Sequence, residues 1–148
     1  IFIGNGSDEP IDLLMRMFCR PNVDNIIVCP PTYGMYAVSA DINDVRVNEA
    51  QLLDNFQLHT ELIFQLVDEN TKILFLCSPN NPTGNLLNEN DIDNALRMFP
   101  GIVVIDEAYI DFSGTLSWLT KLHEYSNLVV LQTFSKAWGL ANLRVGMC

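Results

Sequence analysis

The sequence predicts an α/β fold built on a mostly parallel sheet, and three observations carry that prediction. Short β-rich apolar runs alternate with amphipathic helical patterns along the 148 residues, as successive strand–helix units do. Hydrophobic residues make up 49% of the chain and charged ones 18%, enough apolar material for a core and too little charge for disorder. Finally, the chemically unusual residues follow directly on the apolar runs, where the edge of such a sheet gathers loops and helix starts.

Seven runs read as strands: Phe2–Ile3, Ile26–Cys29, Val45–Val47, Ile73–Cys77, Ile102–Ile105, Leu128–Leu131 and Arg144–Met147. Between them Ile11, Leu14, Met15 and Phe18 recur at helical spacing, as do Ile92, Ala95, Leu96 and Phe99, each set marking a helix with one buried face. Leu62, Ile63, Leu66 and Val67 mark a third helix and Leu116, Leu119 and Leu122 a fourth, with Ser7, Thr60 and Asn88 as N-caps. The stretch from Asn48 to His59 is polar and unpatterned, and reads as a connection. One domain, or most of one, is the simplest organisation. The chain opens and closes inside strand-like runs, so a piece of a longer protein is expected.

Eight basic against 18 acidic side chains give a net charge of −10, which argues against a nucleic-acid partner. The longest apolar runs fall far short of the ~18 residues that span a bilayer, so no membrane partner is expected. Cys19, Cys29, Cys77 and Cys148 lack CxxC spacing, and His59 and His123 sit in unrelated segments; neither a metal site nor a disulfide framework is indicated. The N-terminus lacks the basic start and long apolar middle of a signal peptide, so a cytoplasmic setting is expected.

The unusual residues cluster at five strand ends. After the first run, Gly4-Asn5-Gly6-Ser7-Asp8-Glu9 leads into a helix, whose free N–H groups offer a phosphate site; taken alone, the string is better read as a capped helix after a tight turn. Asp8 and Glu9 would repel a phosphate unless their side chains point away. After the second run comes Tyr33, equally a stacking surface for a flat ligand or a core aromatic. The rigid string Ser78-Pro79-Asn80-Asn81-Pro82-Thr83-Gly84-Asn85 can hold an amide in one orientation. Asp106 ends an apolar strand and needs a partner, for which a cationic ring nitrogen would serve. Lys136 follows Thr133-Phe134-Ser135, with Arg144 eight residues later; partial desolvation at such an end would make the amine nucleophilic, and although a lone lysine is better read as a solvated surface charge, its company shifts the balance. Phosphate cradle, aromatic plate, oriented amide, buried acid, lysine and arginine together suit a flat, phosphorylated, nitrogen-containing aromatic aldehyde, which is pyridoxal 5'-phosphate.

The strings Gly4 to Pro10, Pro31 to Tyr36, Ser78 to Asn85, Asp106 to Phe112 and Thr133 to Ala141 also resemble, in order, those of the fold-type I pyridoxal-phosphate-dependent aminotransferases, most closely the histidinol-phosphate aminotransferases. The resemblance implies a three-layer fold: a mostly parallel seven-stranded sheet with helices on both faces, ending in one antiparallel strand, Arg144–Met147. It implies catalytic roles for Lys136, Asp106 and Tyr109. Lys136 would form the Schiff base and shuttle a proton; Asp106 would keep the ring nitrogen protonated. Tyr109 and Asn81 would bond the ring hydroxyl and Tyr33 would stack on the ring. Ser7 and Asp8 backbone groups, the Thr133 and Ser135 hydroxyls and Arg144 would hold the phosphate.

The implied reaction passes an amino group from a donor to a 2-oxo acid. Family members are longer, so residues 1–148 correspond to part of the large cofactor-binding domain, with an N-terminal segment and a C-terminal small domain expected outside it. The family's homodimer, in which a partner tyrosine reaches the cofactor phosphate, is expected of the full-length protein, and this piece alone is expected to be inactive or badly impaired. Trp138 and Asn142 stand where phenylalanine and glycine are more usual. An aromatic amino-acid aminotransferase, a threonine-phosphate decarboxylase and a non-catalytic pyridoxal-phosphate binder are the alternatives. A nicotinamide-dependent oxidoreductase is disfavoured because Glu9 replaces the third glycine of a dinucleotide fingerprint.

Overall fold

The computed structural model describes residues 1–148. Seven strands form one sheet: β1 (Ile3–Asn5), β2 (Asn25–Val28), β3 (Arg46–Glu49), β4 (Thr71–Cys77), β5 (Ile102–Asp106), β6 (Leu128–Thr133) and β7 (Val145–Met147). Four helices are interspersed: α1 (Asp8–Phe18), α2 (Met35–Ile42), α3 (Thr60–Leu66) and α4 (Glu89–Met98). Single 3-10 turns occupy Ile110–Phe112, Trp118–Lys121 and Ala141–Leu143. All seven expected strands are present, most shifted or extended by a residue or two.

The strand order is β1-β7-β6-β5-β4-β2-β3. β2, β3, β4, β5 and β6 pair in parallel, whereas β7 is antiparallel to both β6 and β1. The antiparallel strand therefore lies inside the sheet, with β1 covering its outer side. This arrangement gives the sheet one edge at which six strands end and β7 begins.

Because side chains alternate along a strand, the sheet carries two separate cores. On one face Ile26, Val28, Ile73, Phe75 and Val104 pack with Ile11, Leu14 and Met15 of α1 and Tyr36 and Ala40 of α2. On the other, Ile27, Leu74, Leu76, Val103 and Ile105 pack with Ile63 of α3 and Ile92, Ala95 and Leu96 of α4. Three layers result. Each fully buried aliphatic side chain contributes about 1.5–3 kcal/mol, so the three apolar positions of α1 dominate its docking. That helix stops when Cys19 turns extended, two residues before Pro21, and Phe18 at its last position is exposed rather than part of the buried stripe.

Four local expectations are corrected. Ser7 occupies the N-cap position of α1, but with helical dihedrals and no side-chain capping bond. Thr60 is the first residue of α3, with His59 at the cap position and no side-chain bond there; only Asn88 caps as expected, its Oδ1 accepting from Asn90 N at 2.8 Å. The fourth helix is reduced to the 3-10 turn Trp118–Lys121. Leucines at 116, 119 and 122 repeat every three residues, which drifts off an α-helical face; all three are exposed, while Trp118 is buried. Finally, α2 was not anticipated. Its buried positions Tyr36, Ser39 and Ala40 have helical spacing, but the Pro-Pro-Thr-Tyr-Gly run ahead of it reads as loop.

Candidate active site

The turn between β1 and α1 sits over the start of β7. Gly6 has φ +75° and its N–H donates to Arg144 O at 2.8 Å; an added Cβ there would lie 2.6 Å from Arg144 Nη2. A Cβ on Gly146 would come within 2.5 Å of Ser7 N, so only glycine lets β7 pass beneath this helix start. Thr133 lies opposite Gly146 in the ladder, and its hydroxyl accepts from Ser135 N at 3.2 Å. The helix start, the Thr133 and Ser135 hydroxyls and Arg144 are thus drawn together. Arg144 itself adopts a left-handed backbone (φ +49°) as the chain enters β7.

The anticipated repulsion at Asp8 and Glu9 is met by partners. Asp8 accepts from the Tyr33 hydroxyl at 3.0 Å and from Arg144 Nη2 at 3.4 Å, and Glu9 accepts from Asn5 N. Burial and the Asp8 carboxylate push the Tyr33 hydroxyl up, so it stays protonated and able to donate.

Of the adjacent amides in the rigid string, Asn80 is buried and serves the loop. Its Nδ2 donates to Pro31 O at 2.9 Å and Thr83 Oγ1 at 2.7 Å, and its Oδ1 accepts from Thr32 Oγ1 at 3.2 Å. That latch leaves Asn81 facing the cavity.

Asp106 and Glu107 diverge at the end of β5. Glu107 bonds Trp118 N (2.8 Å), Gln132 Nε2 (2.9 Å) and Ser117 Oγ, all structural partners. Asp106, 2% exposed, accepts from the Tyr36 hydroxyl at 2.7 Å through Oδ2 and from Ala108 N at 3.0 Å through Oδ1. Burial raises its pKa, and these two bonds oppose that rise. Tyr36 was not among the expected site residues; its hydroxyl, buried three residues after Tyr33, is tied to Asp106.

One small cavity is lined by Ser7, Tyr33, Asn81, Asp106, Tyr109 and Lys136, together with Cys77 and Ala108. The residues expected from five separate strand ends therefore line one cavity, Lys136 and Asp106 among them. Asp8, Thr133, Ser135 and Arg144 stand beside this cavity rather than in its lining. One expectation is corrected: Lys136 is exposed, not partly desolvated. Its Nζ lies 5.2 Å from the centre of the Tyr109 ring, a cation–π distance. A wider groove of Pro79, Asn81, Leu86, Phe112 and Ser113 opens alongside, sharing Asn81 and Tyr109 with the cavity.

The arrangement joins an amine, a buried acid, an aromatic face and a helix-start turn beside an arginine. Comparison with known proteins gives the family and the fold. A family described as aminotransferase class I and II matches residues 1–148. A histidinol-phosphate aminotransferase of Flavobacterium johnsoniae is 60% identical over 148 residues, 100% of this chain and 42% of that protein. One from Bacteroides thetaiotaomicron is 56% identical over 147 residues, covering 99% and 42%. The chain thus spans well under half the length of these relatives. Among solved structures, the histidinol-phosphate aminotransferase of Clostridium acetobutylicum superposes with a TM-score of 0.88 at 27% identity, over 98% of this chain and 43% of that one. A Thermus thermophilus aspartate aminotransferase variant gives 0.89 at 22% identity over 98% and 39%, a likeness of fold.

Proposed function

Because the chain belongs to the aminotransferase class I and II family, we propose that the intact protein is a pyridoxal-phosphate-dependent transaminase taking its amino group from histidinol phosphate and giving it to 2-oxoglutarate. The observation that carries this reading is the single cavity shared by Lys136, Asp106, Tyr33, Asn81 and Tyr109.

The donor set fits the cofactor. The buried Asp106 retains acceptor capacity beyond its two internal bonds, as a protonated ring nitrogen requires. Tyr33 offers a ring face, Asn81 and Tyr109 offer polar groups for a ring hydroxyl, and Lys136 is the attaching amine. The N–H groups of Ser7 and Asp8 at the start of α1, the Thr133 and Ser135 hydroxyls and Arg144 are the phosphate ligands. Pyridoxal phosphate, when bound, supplies an aldehyde that condenses with primary amines and a cationic ring that accepts an electron pair from the donor's α-carbon.

The chain's own residues do the rest. Asp106 would hold the proton on the ring nitrogen, because a buried carboxylate and an adjacent cation stabilise each other. With the cofactor held there, the Lys136 amine would serve as the base that takes the donor's α-proton and as the acid that returns it. Tyr109, whose ring faces Lys136 Nζ, would hold that amine at the cavity.

A substrate panel on the full-length protein with pyridoxal phosphate tests the reading. Amino transfer from histidinol phosphate to 2-oxoglutarate, in preference to tyrosine or phenylalanine, is expected; preferential turnover of an aromatic amino acid, or decarboxylation of phosphothreonine, would replace it.

A further inference from the structure

Tyr36 is the second residue of α2 and has no solvent exposure. Its ring stacks on Phe75 with centroids 4.7 Å apart and planes 18° from parallel, and meets Tyr33 edge-on at 5.6 Å. Phenylalanine would satisfy those apolar contacts equally. The hydroxyl is therefore the informative atom, and it is spent on Asp106 Oδ2 at 2.7 Å. Ala108 N holds the other carboxylate oxygen at 3.0 Å, so the carboxylate is gripped from two elements, α2 and the chain following β5. The torsion that turns an aspartate carboxylate has a broad, shallow profile; two opposed bonds remove that freedom.

We propose that Tyr36 is a positioning residue: its buried hydroxyl orients the Asp106 carboxylate toward the cavity so that it meets the ring nitrogen of the cofactor. The inference rests on the pyridoxal-phosphate reading of the cavity. The same bond opposes the rise that burial and the nearby Asp8 and Glu107 charges impose on Asp106, which favours the ionised form. Tyr36 acts through Asp106 and lines no part of the cavity itself.

The test uses the full-length apoprotein and Tyr36→Phe, each titrated spectroscopically with pyridoxal phosphate and with its analogue carrying C–H in place of the ring nitrogen. Pyridoxal-phosphate affinity is expected to fall about ten-fold or more in the variant while analogue affinity stays within about two-fold, because only the former uses the hydrogen-bonded charge. In an Asp106→Asn background, Tyr36→Phe should remove nothing further. The ratio of the two affinities is internal to each preparation, so partial unfolding does not mimic the result. Equal loss for both ligands, or an undiminished loss in the Asp106→Asn background, would show a packing role and overturn the inference. Unchanged binding in Tyr36→Phe would overturn it alone, whereas failure of the unmutated protein to bind pyridoxal phosphate would overturn the cofactor reading with it.

Discussion

Two neighbouring acids, Asp106 and Glu107, show how position along a strand separates chemistry from structure. Both are buried, and the sequence alone singles out Asp106 only through its resemblance and strand-end position. Geometry divides them: Asp106 borders the cavity, and Glu107 ties Trp118 and Gln132 together on the opposite face. Asp106→Asn should weaken pyridoxal-phosphate binding with little change in melting temperature. Glu107→Ala should cost about 1–3 kcal/mol of stability by leaving buried donors unpaired, read as a lower denaturation midpoint with cofactor affinity largely kept. Asn80 and Asn81 divide the same way; resemblance pointed to Asn81 for the ligand, but the residues by themselves could not say that Asn80 was the latch, since that depends on the loop bearing Pro31 and Thr32 nearly fifty residues upstream.

At the scale of elements, every strand was legible because β-rich apolar runs bounded by turn residues leave little alternative. Helices were harder. α2 was hidden behind a proline-rich entry, and the leucine triplet beyond β5 imitated a helix although Trp118 carries the burial. The turn between β1 and α1 depends on Gly146, whose missing Cβ lets β7 approach Ser7 N. Gly146→Ala should lower stability by about 1–3 kcal/mol through overpacking, measured by chemical denaturation, and weaken phosphate-dependent cofactor binding more than binding of unphosphorylated pyridoxal.

The link from α1 to β2 is electrostatic. Arg20 donates to Asp24 from Nε and Nη2 at 3.0 and 2.9 Å, and Lys72 Nζ lies 3.7 Å away. The Arg20 bonds hold the Asp24 carboxyl at about 2, below its ordinary 3.8. A carboxyl depressed on folding stabilises the native state above its unfolded value and loses that contribution as pH falls through its folded one. Acid unfolding should therefore steepen between about pH 4 and 2, and Asp24→Asn should flatten that part of the curve.

Across the whole molecule, one topological fact organises the site. Six strands run toward one edge and β7 starts from it, so residues as distant in sequence as Ser7 and Lys136 become neighbours. The chain has three lysines, at 72, 121 and 136, and the other two are placed elsewhere: Lys72 near the start of β4 beside Asp24, Lys121 over the Trp118 ring. Resemblance singled out Lys136, but its exposure in this chain was not legible, because burial at a sheet edge depends on whatever packs over it. Treating the full-length protein with pyridoxal phosphate, reducing with borohydride and mapping the modified peptide is the most direct measurement. A single pyridoxyl group on Lys136, absent from Lys136→Ala, is the expected result; label spread over Lys72 and Lys121, or none at all, would contradict the account.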